Sequence, residues 1–476
     1  MPLLSVCDSA GNSCVKRRGF RIRVDFDLPY VKAAFRTRER GFFRGCVNSW
    51  RKIWHDGGLF LSYIGEVSLS METVMKIFCR SIVASLFAVT LLGMVSQTAL
   101  AQVTDANNET FENADTKDRE AKSQQSPSDR TVKSGGYEFT IENEVSCSPV
   151  RSQDRTGTCW CYAGTSFLES ELMRRSEGTH DLSEMFVVKN IYRDKALNYV
   201  LRHGKANFSQ GALAHDYINA IEKYGIVPEE TFTGKTVGET AHNHDEMESI
   251  LKSMLEAVVK QKKLSPRWST AFDKVLSVYL GDSPEVFQYR NASWTPQDFA
   301  DSIEFNAKDY VAFTSYSHHP FYEPFVLEIP DNFSNGSFMN VPVDDMVEII
   351  DTAIDAGYSV MWDGDVSEKG FSANRGVAVL PADGAGKGLN GPVEQMNVTQ
   401  ELRQERLLSY STTDDHLMHL VGRATDQMGN KYYVIKNSWG KIGPHKGYLY
   451  MSEAYVRLHT LAITLNRDCL DSRYDR

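Results

Sequence analysis

Cysteine, proline and long apolar runs are all scarce in this 476-residue chain, and each scarcity narrows what it can be. Of eight cysteines, only Cys147, Cys159, Cys161 and Cys469 lie beyond residue 101. Four thiols in so long a stretch do not make a disulfide framework, although Cys147–Cys161 and Cys147–Cys469 both stay open as pairs. Fifteen prolines and 33 glycines are too few for a collagenous or low-complexity chain. Basic charge is scarce in the body. Residues 1–101 carry 14 Lys and Arg against 7 Asp and Glu, whereas the remainder carries 38 against 55. Phosphate contacts need concentrated Lys and Arg, so this acidic body argues against a nucleic-acid partner. The apolar stretch Ser81 to Val95 is shorter than the roughly 20 residues of a spanning helix.

That stretch has a different grammar. A cationic start at Met75-Lys76-Ile77-Phe78-Cys79-Arg80 leads into SIVASLFAVTLLGMV and then Ala99-Leu100-Ala101, a small-x-small cleavage signal before Gln102. Residues 75–101 therefore read as a secretory signal peptide, which predicts a secreted or periplasmic protein with no stable membrane association after cleavage. A signal peptide works at a chain terminus, so residues 1–74 read as an upstream extension from a mis-assigned start, with Met71 or Met75 as the initiator; the rival reading is a genuine cytosolic extension with an N-terminal anchor. Residues 102–136 are polar and almost free of large apolar side chains. They cannot bury enough surface to offset ordering entropy and are expected to form a disordered tether.

Folded sequence is expected over 137–467, followed by a charged tail over 468–476. Residues 158–260 are mostly helical in pattern, with apolar spacing around Cys159 to Met173, Leu213 to Tyr224 and Glu246 to Lys263. After a further helix at Asp345 to Ala356, short strand-like runs follow at Tyr358–Trp362, Gly376–Leu380, Met418–Ala424, Lys431–Lys436 and Tyr448–Met451. A helical first lobe and a strand-rich second lobe predict an α+β architecture.

Two local patterns carry chemistry. In Gln153-Asp154-Arg155-Thr156-Gly157-Thr158-Cys159-Trp160, a Gly-Thr loop opens a helix with Cys159 in its first turn, where the helix dipole favours a thiolate. Gln153 is placed to donate its amide, with the Cys159 backbone N–H, to an oxyanion. Alone, Cys159 reads equally as a structural thiol in a helix. Cys161 points to another helical face and reads as core or disulfide. The second pattern is Asp414-Asp415-His416-Leu417-Met418-His419, a turn over 426–430, Tyr432–Lys436, and Asn437-Ser438-Trp439-Gly440. A hairpin here brings His416 beside Asn437, whose carbonyl would fix the imidazole tautomer while Trp439 covers the bond. His419 competes for the base role but faces the other side of the strand.

Gln-x5-Cys-Trp, His-x-Met-x-Leu-x-Gly and Asn-Ser-Trp-Gly, in that order, resemble the papain-like cysteine peptidases of the bleomycin hydrolase and aminopeptidase C branch. Leu182-Ser183-Glu184-Met185-Phe186, Lys223-Tyr224-Gly225-Ile226-Val227-Pro228, Leu280-Gly281-Asp282-Ser283-Pro284 and Thr295-Pro296-Gln297-Asp298-Phe299 are similar to further landmarks of that branch. The resemblance implies a papain fold, a helical left lobe and a strand-rich right lobe with a cleft between them. It implies Cys159 as nucleophile, His416 as acid/base, Asn437 as its orienter and Gln153 as oxyanion donor, with Trp160 and Trp439 in supporting places. The substrates would be peptides, with no metal or organic cofactor, and the assembly a homo-oligomer, a hexamer in this branch. In the branch the C-terminus occupies the cleft and pairs with the substrate amine, giving aminopeptidase action. The charged tail here, Asp468 to Arg476, departs from that, which leaves an endopeptidase or a catalytically inactive binding protein as alternatives. His242-Asn243-His244 and His318-His319 lack the companion ligands of a known metal motif, so no metal is expected from spacing.

Overall fold

The structure, a computed structural model, describes residues 130–236, 238–382 and 388–474. The upstream extension, the signal-like segment and the tether up to residue 129 lie outside the described residues. Among the described residues the helices are α1 (Cys159–Arg174), α2 (Glu184–Leu201), α3 (Ala214–Tyr224), α4 (Asp245–Val259), α5 (Arg267–Leu280), α6 (Pro296–Ser302), α7 (Val343–Asp355), α8 (Gln400–Leu408) and α9 (Glu453–His459). The first six pack together as the left lobe.

Its centre is α1, buried on all sides from Cys159 to Leu172, as a helix sunk in a core must be. The outer α4 and α5 are amphipathic. Met247, Leu251 and Leu255, and Phe272, Leu276 and Leu280, recur every fourth residue and face inward. Local signals set the helix starts: the Ser183 hydroxyl accepts from Phe186 N at 3.1 Å, and Thr295 accepts from Asp298 N ahead of Pro296. At the end of α3, Gly225 adopts φ 73°, and a Cβ there would strike the Pro296 carbonyl.

The right lobe is one large mixed sheet. Its strands are β1 (Thr131–Ser134) and β2 (Tyr137–Glu144). After a separate left-lobe hairpin of β3 (Phe287–Tyr289) and β4 (Ala292–Trp294) come β5 (Tyr310–Thr314), β6 (Pro324–Val326) and β7 (Ser337–Asn340). They are followed by β8 (Val360–Gly364), β9 (Phe371–Ser372), β10 (Val377–Ala378), β11 (His416–Thr425), β12 (Lys431–Lys436), β13 (Tyr448–Ser452) and β14 (Thr460–Asn466). The order across the sheet is β6-β7-β5-β14-β8-β11-β12-β13-β10-β9, with β2 along β11 and β1 on β2. Strand β1 lies within the segment expected to be a tether; pairing with β2 supplies its backbone hydrogen bonds. β11 is the organising strand. Its first half pairs with β8 and its second half with β2, while β12 runs beside it from His419 to Thr425 through a bulge between Leu420 and Gly422.

α1 packs directly on β11, and that contact brings the start of the helix to the start of the strand. No helix among the described residues is long and apolar enough to cross a membrane. The mixed helical lobe and sheet match the α+β, papain-like expectation.

Close helix packing carries a testable cost. A Cβ on Gly164 of α1 would sit 2.5 to 2.9 Å from ring carbons of the fully buried Tyr217 on α3. Gly164→Ala is expected to destabilise the fold by about 1–3 kcal/mol through overpacking, read as a lower thermal midpoint. An unchanged midpoint would mean that α1 and α3 are not in contact there.

Candidate active site

Two segments from opposite ends of the folded sequence lie side by side and frame the site. Gln153 N donates to Ser438 O at 2.8 Å, and Gly440 N donates to Arg151 O at 3.1 Å. Ser152 and Trp439 form an antiparallel bridge between them. The Ser438 hydroxyl adds a bond to Gln153 Oε1 at 2.7 Å. Just beyond, Asp154 takes a left-handed φ of 53°, and its carboxylate accepts from His242 N at 2.9 Å. Asp tolerates that conformation better than most residues, and the bend leads the chain into the loop before α1. Gln153 Nε2 donates one hydrogen to Thr156 O at 2.7 Å, which holds the amide still and leaves its second hydrogen available.

Gln153, Cys159, His416 and Trp439 line one cleft of ≈ 410 Å³. His416 and Asn437 meet as the hairpin predicts, with Nε2 2.8 Å from Asn437 Oδ1. Because the carbonyl oxygen can only accept, Nε2 carries the proton and Nδ1 is left as the free base nitrogen. Asn437 Oδ1 is itself fixed by Ser438 N at 2.7 Å. Trp439 lies nearly flat against the imidazole, ring centroids 4.7 Å apart and planes at 29°, and so shields that bond from water. Trp160 has a different place. It is 1% exposed, does not line the cleft, and donates Nε1 to Gln210 O at 3.0 Å, which anchors the chain next to the cleft-lining Gly211.

The electrostatics oppose one expectation. A helix start favours thiolate, yet burial pushes the Cys159 thiol up to about 12, against a backbone hydrogen bond at Leu417. Burial likewise takes His416 down to about 4, against the Asn437 bond and Asp415. Desolvation outweighs the end of the helix because each charge is considered alone in a dry place. In a thiolate–imidazolium pair each charge would offset part of the other's loss of water.

Carboxylates that sequence reasoning passed over also line the cleft: Asp331, Asp414 and Asp415. Asp331 accepts from Asn207 Nδ2 at 2.7 Å and Ser209 Oγ at 3.2 Å, and its carboxylate lies against the bare Cα of Gly211, where a Cβ would collide with it. Asp414 pairs with the buried Asp363. Burial and the neighbouring carboxylate raise Asp363 well above its ordinary range, and burial lifts Asp414 to about 7. Two neighbouring buried carboxyls resist losing both of their protons. Asp414 and Asp415 were visible beside His416 in the sequence. Asp331 carried no signal, since its partners lie more than 120 residues away.

His419 does face the other way. Its Nδ1 lies 2.7 Å from Ser166 Oγ, and burial together with Lys436 holds it well below its ordinary value. The thiols Cys147, Cys159, Cys161 and Cys469 are all free, so neither disulfide left open by the sequence forms; Cys161 is a core residue donating to Glu184 O at 3.1 Å. The tail, described to residue 474, packs against α7 and its neighbours through Tyr474, which meets Phe313, and through an Arg473–Glu348 ion pair. No described tail residue lines the cleft.

Comparison with known proteins places the fold. The model of the Peptidase C1-like family matches residues 190–475. Aminopeptidase C of Listeria monocytogenes is 23% identical over 385 residues, covering 69% of this chain and 82% of the relative. Human bleomycin hydrolase is 21% identical over 371 residues, covering 67% and 80%. The crystal structure of PepW from Lactobacillus rhamnosis shares the fold with a TM-score of 0.58 at 20% identity, over 70% of this chain and 83% of that one. Helical lobe, mixed sheet, cleft and relatives converge on one assignment: the chain belongs to the Peptidase C1-like family and is a cysteine peptidase of the bleomycin hydrolase and aminopeptidase C branch.

Proposed function

We propose that this enzyme hydrolyses peptide bonds by acyl transfer through Cys159, His416 and Asn437, with Gln153 stabilising the oxyanion. The observation that carries this is the tautomer lock: a buried His416 whose Nε2 is held by Asn437 under Trp439, in the same cleft as Cys159. His416 Nδ1 takes the thiol proton as Sγ attacks the peptide carbonyl. The oxyanion that forms is met by the Gln153 amide and the Cys159 backbone N–H. Collapse breaks the C–N bond, and the leaving amine receives the proton from His416. Water, deprotonated by the same imidazole, then hydrolyses the thioester and regenerates the thiol.

We further propose that the enzyme is an aminopeptidase acting on short peptides. Two observations support it: relatives named aminopeptidase, and the cleft carboxylates of Asp331 and Asp414, which suit a substrate ammonium. One observation favours endopeptidase action instead. The described part of the tail docks beside α7 and does not line the cleft, unlike the arrangement that the branch resemblance implies. Export is a further part of the proposal, resting on the signal-like segment 75–101.

Hydrolysis of one fluorogenic peptide amide, with its amino terminus free and then acetylated, separates these readings. Turnover of the free form alone, absent in Cys159→Ser, is expected; equal turnover of both would establish an endopeptidase. Asp331→Asn is expected to raise KM for the free peptide about tenfold with little change in kcat, the loss of one charge-assisted contact. An unchanged KM would remove Asp331 from amine recognition. Because Asp414 gains its charge as pH rises through about 7, ammonium binding should tighten over that range so long as the substrate amine stays protonated. A KM for the free peptide that rises over that range would contradict the role given to Asp414.

A further inference from the structure

The adjacent imidazoles of His318 and His319 do not lie loose on the surface. Their Nε2 atoms converge on one carboxylate, His318 at 3.3 Å from Glu328 Oε2 and His319 at 2.9 Å from Glu328 Oε1. One ligand atom from each of the three residues lies within 4.8 Å of the others. A tetrahedral ion with bonds near 2 Å sets its ligand atoms about 3.3 Å apart, so the two nitrogen–oxygen separations already suit one ion.

The loop that bears them is held by two buried amides. Asn340, fully buried, donates to Tyr316 O at 2.8 Å, to His319 O at 3.0 Å and to Pro320 O at 3.0 Å. Gln404 Oε1 accepts from Ser317 N at 2.6 Å and from His318 N at 3.3 Å. The same Gln404 amide meets His318 Nδ1, with Oε1 at 3.3 Å and Nε2 at 3.1 Å. It can thus receive Nδ1–H when Nε2 is a metal ligand, which is the outer partner that ligating histidines ordinarily have. His319 is fixed from the side by stacking on Phe325, centroids 4.2 Å apart. Both rings and the carboxylate reach solvent, which leaves room for a water to complete the coordination.

We propose that His318, His319 and Glu328 form a binding site for a late first-row divalent cation such as Zn²⁺, separate from the peptidase cleft. Two imidazoles and one carboxylate are a borderline-soft set that selects such ions over Mg²⁺ or Ca²⁺. The ion would tie the β5–β6 connection to Glu328, three residues before the cleft-lining Asp331. The sequence showed only the histidine pair, because nothing in its spacing marks a glutamate ten residues on as the third ligand.

The test is isothermal titration of Zn²⁺ into the full chain carrying Cys159→Ser, so that the cleft thiol cannot compete and no activity is needed. One equivalent is expected to bind, weakened at least about tenfold by Glu328→Gln and by His319→Ala. The Co²⁺ form should show a d–d spectrum without a thiolate charge-transfer band. Both positions are solvent-accessible and Glu328→Gln is nearly isosteric, and far-ultraviolet circular dichroism confirms that each variant folds. No Zn²⁺ binding, affinity unchanged in both variants, or a thiolate band with Co²⁺ would each overturn the proposal.

Discussion

The short pairing between residues 151–153 and 438–440 is the constraint on which the site depends. Two backbone hydrogen bonds and the Ser438–Gln153 side-chain bond hold together chain segments nearly 300 residues apart. One segment leads through the Asp154 bend into α1 and so fixes Cys159. The other follows β12 and so fixes Asn437. Each bond alone adds only about 1 kcal/mol to stability. Their effect on geometry is larger, since a shift of the 438–440 strip would move Asn437 and Trp439 away from His416 together.

Packing makes that frame rigid. α1 is buried on every side and lies on β11, whose first residue is His416, so Cys159 and His416 sit at the ends of two elements that cannot slide independently. Burial has an electrostatic consequence. It disfavours an isolated thiolate and an isolated imidazolium alike, whereas in the proposed pair each charge would offset part of the other's desolvation. That balance is what the proposed mechanism relies on. Asn437 takes part in it by keeping the proton of the neutral imidazole on the far nitrogen.

Much of this was legible in the sequence, for reasons that differ by residue. Strand Lys431–Lys436 matches its expectation residue for residue, because a Gly-Asn turn and β-forming side chains agree there. His416, Asn437 and Trp439 could be placed together because a hairpin is a local object. Cys159 stood out once those residues were seen with it. Strand β14 was missed. Its Leu461, Ile463 and Leu465 do alternate with Thr460, Thr464 and Asn466, but every position is buried, so the pattern marks no solvent face. The run also follows α9 without a turn residue to set it apart. Strand β1 looked like tether because its short polar sequence acquires order only by pairing with β2. Asp331 was invisible because its partners lie more than 120 residues away, and Glu328 because nothing in the local spacing marks it as a partner of His318 and His319.

Cys159 reactivity as a function of pH reports on the central pair most directly. The rate of alkylation by iodoacetamide should be followed in the native enzyme and in His416→Ala. A thiol that passes its proton to His416 is expected to react well below pH 7, under the ordinary thiol range near about 8.5, and to lose that acidic limb in the variant. A single inflection at or above the ordinary thiol value, the same in both proteins, would contradict the account.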